Sequence, residues 1–167
     1  MSVNRPHPPT HPRHRCRGRA FTLVEMIIVL VILAILAAIV TSRMSGASQR
    51  AGAAALDGDL ATLRKAIEMY QVEHAGQYPS AAGINQQLTQ FTDHSGDPSP
   101  DKDATHSYGP YLRSVPPLSV GTRRGRSGIA AANGGSVGWI YDATTGHIRA
   151  NSAPDEADDQ GKLYLDY

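Results

Sequence analysis

The chain has 167 residues, with 16 basic and 15 acidic side chains and a formal net charge of +1. This length allows one modest domain with appendages. The single cysteine, Cys16, excludes an intramolecular disulfide. Because residues 1–20 hold five arginines and no acid, the remainder is net acidic, and a general affinity for nucleic acid is not expected.

The N-terminal segment, residues 1–20 (MSVNRPHPPTHPRHRCRGRA), is rich in arginine, proline and histidine. Such a composition cannot form a packed core, so the sequence predicts a solvated, disordered leader. Arginines beside an apolar segment stay on the cytoplasmic side of a membrane. The leader therefore also predicts the orientation of the segment that follows.

Residues 21–40 are apolar except for Thr22 and Glu25. A helix of about 20 residues spans the ~30 Å hydrocarbon core of a bilayer, and helix is the form that satisfies its backbone there. Residues 21–42 are therefore predicted to be the transmembrane half of a long helix. A secretory signal peptide is the alternative, although its apolar core is usually shorter.

Residues 43–76 are predicted to be the amphipathic half of the same helix. Apolar side chains recur here every three or four residues, which places them on one helix face; they are Leu56, Leu60, Leu63, Ile67 and Tyr70. Glycine favours a helix end and proline cannot continue a helix, so Gly76 and Pro79 predict where it stops.

Residues 77–167 are predicted to form a small globular head with antiparallel strands. AAGINQQLTQF predicts a short helix, VGWIYDATTGHIRAN a hairpin that turns at DATTG, and KLYLDY a final strand. A small antiparallel sheet packed on the apolar face of the long helix would bury both surfaces. The expected fold class is therefore α+β.

Glu25 is a carboxylate inside the apolar segment, and this position indicates a function. A carboxylate at the centre of a bilayer costs about 2.5–3.5 kcal/mol, and a cation at the same depth would offset part of this cost. Arg17 and Arg19 are the nearest cations in the uncut chain. If the chain were cut before Phe21, the new α-amino group could pair with Glu25 of a neighbouring copy and set the axial register.

The stretch RAFTLVEMIIVLVILAILAAIV resembles the cleavage and methylation segment of type IV pilin-like proteins. The resemblance implies that a membrane peptidase cuts between Ala20 and Phe21 and methylates the amine of Phe21. It also implies that the subunits polymerise, with Glu25 recruiting the amine of the incoming copy. The family usually has glycine before the cut, so Ala20 implies slower processing.

The stretch LRKAIEMYQVEHAGQYPSAAGINQQL is similar to a segment of the major pseudopilins of type II secretion systems. The resemblance implies a structural pseudopilus subunit, not an enzyme, with one span in the bacterial inner membrane and a periplasmic head. The implied partners are the prepilin peptidase, other copies, minor pseudopilins, the inner-membrane assembly platform and lipid. A type IV pilus subunit for adhesion, motility or DNA uptake is the first alternative. A membrane-anchored periplasmic enzyme or binding protein is the second.

Acidic residues near the C-terminus are candidate calcium ligands. The resemblance implies calcium because that class often binds the ion in its C-terminal loop, and calcium takes six to eight oxygen ligands. The spacing is not that of an EF-hand, so a solvated acidic loop without a cofactor is the favoured interpretation. The candidate ligands are Asp155, Glu156, Asp158 and Asp159.

Two further polar loops are interpreted without a ligand. The loop DHSGDPSPDKDATH mixes aspartate and histidine but lacks a regular metal-ligand spacing, which favours a flexible loop. The loop GTRRGRSG holds Arg123, Arg124 and Arg126, which could contact DNA phosphates. No aromatic residue interleaves with these arginines, so a solvated or subunit-contacting loop is the preferred interpretation.

Overall fold

The computed structural model describes residues 22–167, except for the side chains of residues 39–45. The described residues divide into two compact units, with the boundary between Thr41 and Ser42. The helices and strands are, in chain order, α1 (Leu23–Glu73), α2 (Ile84–Thr89), β1 (Phe91–Thr92), β2 (Pro98–Ser99), β3 (Gly128–Ala130), β4 (Val137–Tyr141), β5 (Ile148–Ala150) and a 3₁₀ helix (Tyr164–Asp166).

In the first unit, α1 begins at Leu23, directly after a capping threonine. The hydroxyl oxygen of Thr22 accepts the N–H of Glu25 (3.2 Å), and its carbonyl accepts the N–H of Met26 (3.3 Å). The first bond satisfies an N–H group that has no backbone partner in the first turn, and the second is the first backbone bond of the helix. Glu25 adds negative charge near the positive end of the helix dipole, which favours this starting point.

In the second unit, α1 presents one buried stripe to the head. The five predicted apolar positions are at most 3% exposed, which confirms the periodicity; they are Leu56, Leu60, Leu63, Ile67 and Tyr70. They belong to one core cluster with Trp139 and Tyr141 of β4. The indole N–H of Trp139 donates to the carbonyl of Pro116 (2.8 Å), so its polar atom is satisfied inside the core.

The helix α1 ends at Glu73, close to the predicted boundary at residue 76. Ala75 (φ 54°) and Gly76 (φ 85°) take left-handed conformations, and the N–H of Gly76 donates to the carbonyl of Gln71 (2.8 Å). This arrangement closes the carboxyl end of a helix. The predicted short helix is confirmed as α2, and it follows this turn.

The main sheet has the strand order β3-β4-β5. Strands β4 and β5 are antiparallel, with Trp139 opposite Ala150, so the predicted hairpin is confirmed. Strand β3, which was not predicted, pairs with β4 in parallel, so the sheet is mixed. Gly138 permits this pairing, because a β-carbon there would overlap the carbonyl of Arg126. A separate antiparallel pair, β1 and β2, completes an α+β architecture, as predicted.

The prediction of a final strand at KLYLDY was wrong. Residues Tyr164–Asp166 form a 3₁₀ helix, and only an isolated bridge joins Leu163 to Ala157. The N–H of Tyr164 donates to the carbonyl of Glu156 (3.1 Å), so the backbone pairs with its own preceding loop. Tyr164 is buried in the core cluster, which explains the apolar pattern of this segment without a strand.

Candidate functional site

The predicted processing site lies outside the described residues. Ala20, Phe21 and the leader are not among them, so cleavage and methylation stay predictions. Glu25 is described and its side chain is exposed in the first turn of α1. Sequence reasoning missed the capping role of Thr22, although threonine followed three residues later by glutamate is a known signature of a helix start.

An exposed apolar surface surrounds Glu25. Its large side chains are between 44% and 75% exposed; they are Leu23, Val24, Met26, Ile27, Ile28, Val29, Leu30, Val31, Ile32, Leu33, Ile35 and Leu36. A contiguous apolar surface of this kind marks contact with a protein or a membrane. Within the described part of the chain, no helix combines the length and hydropathy needed to cross a membrane. The transmembrane assignment of residues 21–42 stays a prediction.

The carboxylate of Glu156 connects two loops of the head. Its Oε1 accepts the N–H of Thr122 (2.6 Å), and its Oε2 accepts the N–H of Ala153 (2.8 Å). Burial alone would raise the pKa of Glu156, but the bonds from Ala153 and Thr122, with nearby Arg123, lower it below its usual value. The chain therefore holds this carboxylate in its ionised form.

Asp158 closes the next turn. Its Oδ1 accepts the N–H groups of Gln160 (2.8 Å) and Lys162 (2.9 Å), and its Oδ2 accepts the hydroxyl of Tyr167 (2.6 Å). The bond from Tyr167 is the largest of the effects that lower the pKa of Asp158. Three donors from its own loop and C-terminus thus occupy this carboxylate.

The four acids predicted as calcium ligands do not share one site. Asp159 forms an ion pair with Arg50 of α1 (Nε to Oδ2, 2.5 Å), whereas Asp155 is exposed. Within the described part of the chain, no group of three or more His, Cys, Asp or Glu side chains is placed to hold a metal ion. Calcium needs six to eight oxygens around one point, so these carboxylates do not fit it as a set.

Aspartate side chains also close the loop that was interpreted as flexible. Asp93 Oδ1 accepts the N–H groups of Ser95 (2.8 Å) and Asp97 (2.9 Å). Asp103 Oδ1 accepts the N–H groups of Thr105 (2.7 Å) and His106 (2.6 Å). Both are local Asx turns, which aspartate forms readily. These carboxylates therefore serve the backbone of their own loop.

We expect Asp103 to titrate far below an ordinary aspartate. The backbone N–H of His106, then its ring and the N–H of Thr105, lower the pKa of Asp103 from 3.8 to about 2. Since the folded pKa is depressed, the contribution of this carboxylate to loop order is complete above the usual pKa and is lost as the pH falls through about 2. NMR titration of the Asp103 carboxyl carbon checks this, and a midpoint near 3.8 would contradict it.

A buried aromatic cluster at the end of α1 was missed by sequence reasoning. His74 is 3% exposed, and its ring stacks on Tyr70 with centroids 3.8 Å apart. Its Nδ1 lies 2.8 Å from the carbonyl of Tyr70, and its Nε2 lies 3.0 Å from the carbonyl of Asp93. The spacing of four between Tyr70 and His74 was the available signal, because it continues the buried helix face. The cluster attaches the end of α1 to the head.

The basic loop contacts its own head. Arg123 donates to the carbonyl of Asn151 (3.4 Å), and Arg126 donates to the carbonyl of Gly134 (3.5 Å). Arg124 is exposed. Two of the three arginines that were considered for phosphate binding are thus directed to backbone carbonyls.

The family model for the prokaryotic N-terminal methylation motif matches residues 15–41. This match covers Arg15, Arg17 and Arg19, Glu25 and the whole of the apolar residues 21–40. Helix α1 begins within this motif, and in the second unit its buried stripe packs on a small α+β head. The motif and the fold together define a pilin-like protein.

Comparison with curated proteins identifies the family. Type II secretion system core protein G of Klebsiella pneumoniae is 32% identical over 101 residues, which are 60% of this chain and 67% of that protein. The Pseudomonas aeruginosa protein of the same name is 29% identical over 105 residues, 61% of this chain and 68% of that protein. The Pectobacterium carotovorum protein is 36% identical over 64 residues, 38% of this chain and 40% of that protein. The chain belongs to the family of type II secretion system core protein G, the major pseudopilin. No solved structure matches it.

Proposed function

We propose that this chain is a structural subunit that assembles into the pseudopilus of a type II protein secretion system. The similarity to core protein G over 101 residues carries the proposal. The exposed apolar side chains at the start of α1 support it, because assembly would cover such a surface. The role is mechanical rather than enzymatic.

In this proposal a prepilin peptidase removes residues 1–20 and methylates the new N-terminus at Phe21. The motif match over residues 15–41 supports this step. Ala20 lies before the cut and is small, as the resemblance requires. Processing creates an α-amino group four residues before Glu25, at the end of the apolar segment.

Before assembly, the chain is held in the bacterial inner membrane by residues 21–42. The arginines of the leader keep the N-terminus in the cytoplasm, because positive charge beside a span resists translocation. The head, from residue 77 to the C-terminus, then lies in the periplasm. This orientation brings the cut site to a membrane-embedded peptidase and the head to the compartment where export begins.

Within the filament, Glu25 of one copy pairs with the N-terminal amine of the next. An unpaired carboxylate in an apolar environment is costly, and an ion pair in low dielectric is sensitive to geometry. The pair would therefore favour one axial register over others. The partners are other copies, minor pseudopilins, the assembly platform and lipid. No nucleic acid is expected among them.

We expect the protein purified from cells to begin at Phe21 and to carry one N-terminal methyl group. Intact-mass and N-terminal peptide mass spectrometry check both points. Ala20→Gly should be processed at least as completely as the wild type, whereas Ala20→Leu should accumulate uncut because its side chain is large. Retention of the leader, or another N-terminal residue, would contradict the proposed processing.

A further inference from the structure

The Glu156 carboxylate occupies a site shaped for it. Gly121 lies beside it with φ 70°, and a β-carbon at Gly121 would lie only 2.5 Å from Glu156 Oε2. A positive φ together with this close approach requires glycine. The loop that contains Gly121 and Thr122 is thus connected to the C-terminal loop by one side chain that bonds to both backbones.

The C-terminal loop satisfies its own backbone. The N–H of Glu156 donates to the carbonyl of Ala153 (3.1 Å), and the N–H of Asp158 donates to the carbonyl of Lys162 (2.9 Å). The N–H of Tyr164 donates to the carbonyl of Glu156 (3.1 Å). These bonds, with the carboxylate contacts of Asp158, close the loop through protein groups.

Protein cations lie close to the acidic charge of this loop. Arg50 pairs with Asp159, and Arg123 lies close enough to Glu156 to lower its pKa. The ammonium of Lys162 lies 3.6 Å from the ring centre of Tyr167, the residue that donates to Asp158. A calcium ion that recruited these carboxylates would have to compete with the N–H bonds and the ion pair that they already make.

We propose that hydrogen bonds which the Glu156 and Asp158 carboxylates accept from backbone N–H groups hold the C-terminal loop closed, in place of the calcium ion that the resemblance implies. The head of this chain then folds and stays folded without a metal. The proposal rests on the loop geometry and is independent of the role in secretion. A result that disproves metal-free closure of the loop would therefore leave the proposed role in secretion standing, and the reverse also holds.

Thermal unfolding of the full-length chain in detergent, with excess calcium or with EDTA, tests the proposal. We expect the two midpoints to agree within about 1 °C, whereas an ion present at about 100 times its Kd would raise the midpoint by about 5–10 °C. A midpoint that rises with calcium overturns the proposal. This comparison uses the unaltered chain, so it does not depend on the folding of a variant.

A pair of neighbouring variants tests the role of the carboxylate itself. Glu156→Gln loses one acceptor oxygen, and we expect its midpoint to fall by about 4 °C or more, in calcium and in EDTA alike. Asp155→Asn makes the same change of charge one residue away at an exposed position, and it should shift the midpoint by about 1 °C or less. Equal shifts in the two variants, or a loss in Glu156→Gln that appears only with calcium present, would overturn the proposal.

Discussion

Replacing Glu25 with alanine is expected to abolish incorporation into the pseudopilus and to reduce secretion to the level of a strain that lacks the chain. Membrane insertion should be unchanged or better, because removal of a carboxylate from an apolar segment avoids up to about 3 kcal/mol. The loss arises at assembly, where the N-terminal amine of the incoming copy has no partner. Fractionation of membranes and sheared filaments, followed by immunoblotting, separates the two steps.

Thr22 supplies a matched control for Glu25. Thr22→Ala removes the hydroxyl that accepts the N–H of Glu25 but leaves the carboxylate in place. Loss of such a cap costs about 1 kcal/mol of helix stability, which a long helix tolerates. We therefore expect Thr22→Ala to assemble. Filaments formed by Glu25→Ala would contradict the role of Glu25 in assembly. Equal defects in both variants would show that Glu25 acts only by stabilising the start of the helix.

The elements that were predictable from sequence are those fixed by local pattern. The stripe from Leu56 to Tyr70 follows from helix geometry alone, because side chains three and four apart lie on one face. The β4–β5 hairpin was equally readable, since DATTG supplies a turn between two apolar runs. Neither inference needed knowledge of the partner surface.

The elements that were not predicted, or were predicted wrongly, depend on contacts between distant segments. The parallel pairing of β3 with β4 requires Gly138 to lie against the carbonyl of Arg126, which no local pattern specifies. The segment at Tyr164 has a strand-like composition, but its backbone bonds to the loop at Glu156 instead. These elements depend on which backbone groups are available for pairing, and the local sequence pattern does not specify those groups.

The acidic loop shows the same limit at a candidate site. Four acids within five residues predict the chemistry of a ligand set, but not the direction of each carboxylate. Glu156 bonds to Thr122, 34 residues away, and Asp159 bonds to Arg50, 109 residues away. Backbone donors and a distant cation thus take up carboxylates that were candidate calcium ligands on the resemblance alone.

Leu60→Ala should produce a large loss of stability, because it removes a fully buried side chain from the helix stripe. Leu60 is fully buried against the head, and removal of a buried leucine side chain costs about 2–5 kcal/mol through lost burial and the cavity that remains. Trp139 is the only tryptophan, is fully buried and shares this core cluster. Its fluorescence during denaturant unfolding therefore reports the head directly.

Val72 provides the contrast within the same helix, because its side chain is 80% exposed. Val72→Ala should change the free energy of unfolding by about 0.5 kcal/mol or less. Leu60→Met conserves volume and should cost less than about 1.5 kcal/mol. The loss of stability at this position should therefore depend on the size of the cavity that the substitution leaves. Should Leu60→Ala and Val72→Ala unfold at the same denaturant concentration, the stripe would not carry the packing of α1 on the head. A graded loss in the order Val72→Ala, Leu60→Met, Leu60→Ala would instead show that burial of this face holds the head to its helix.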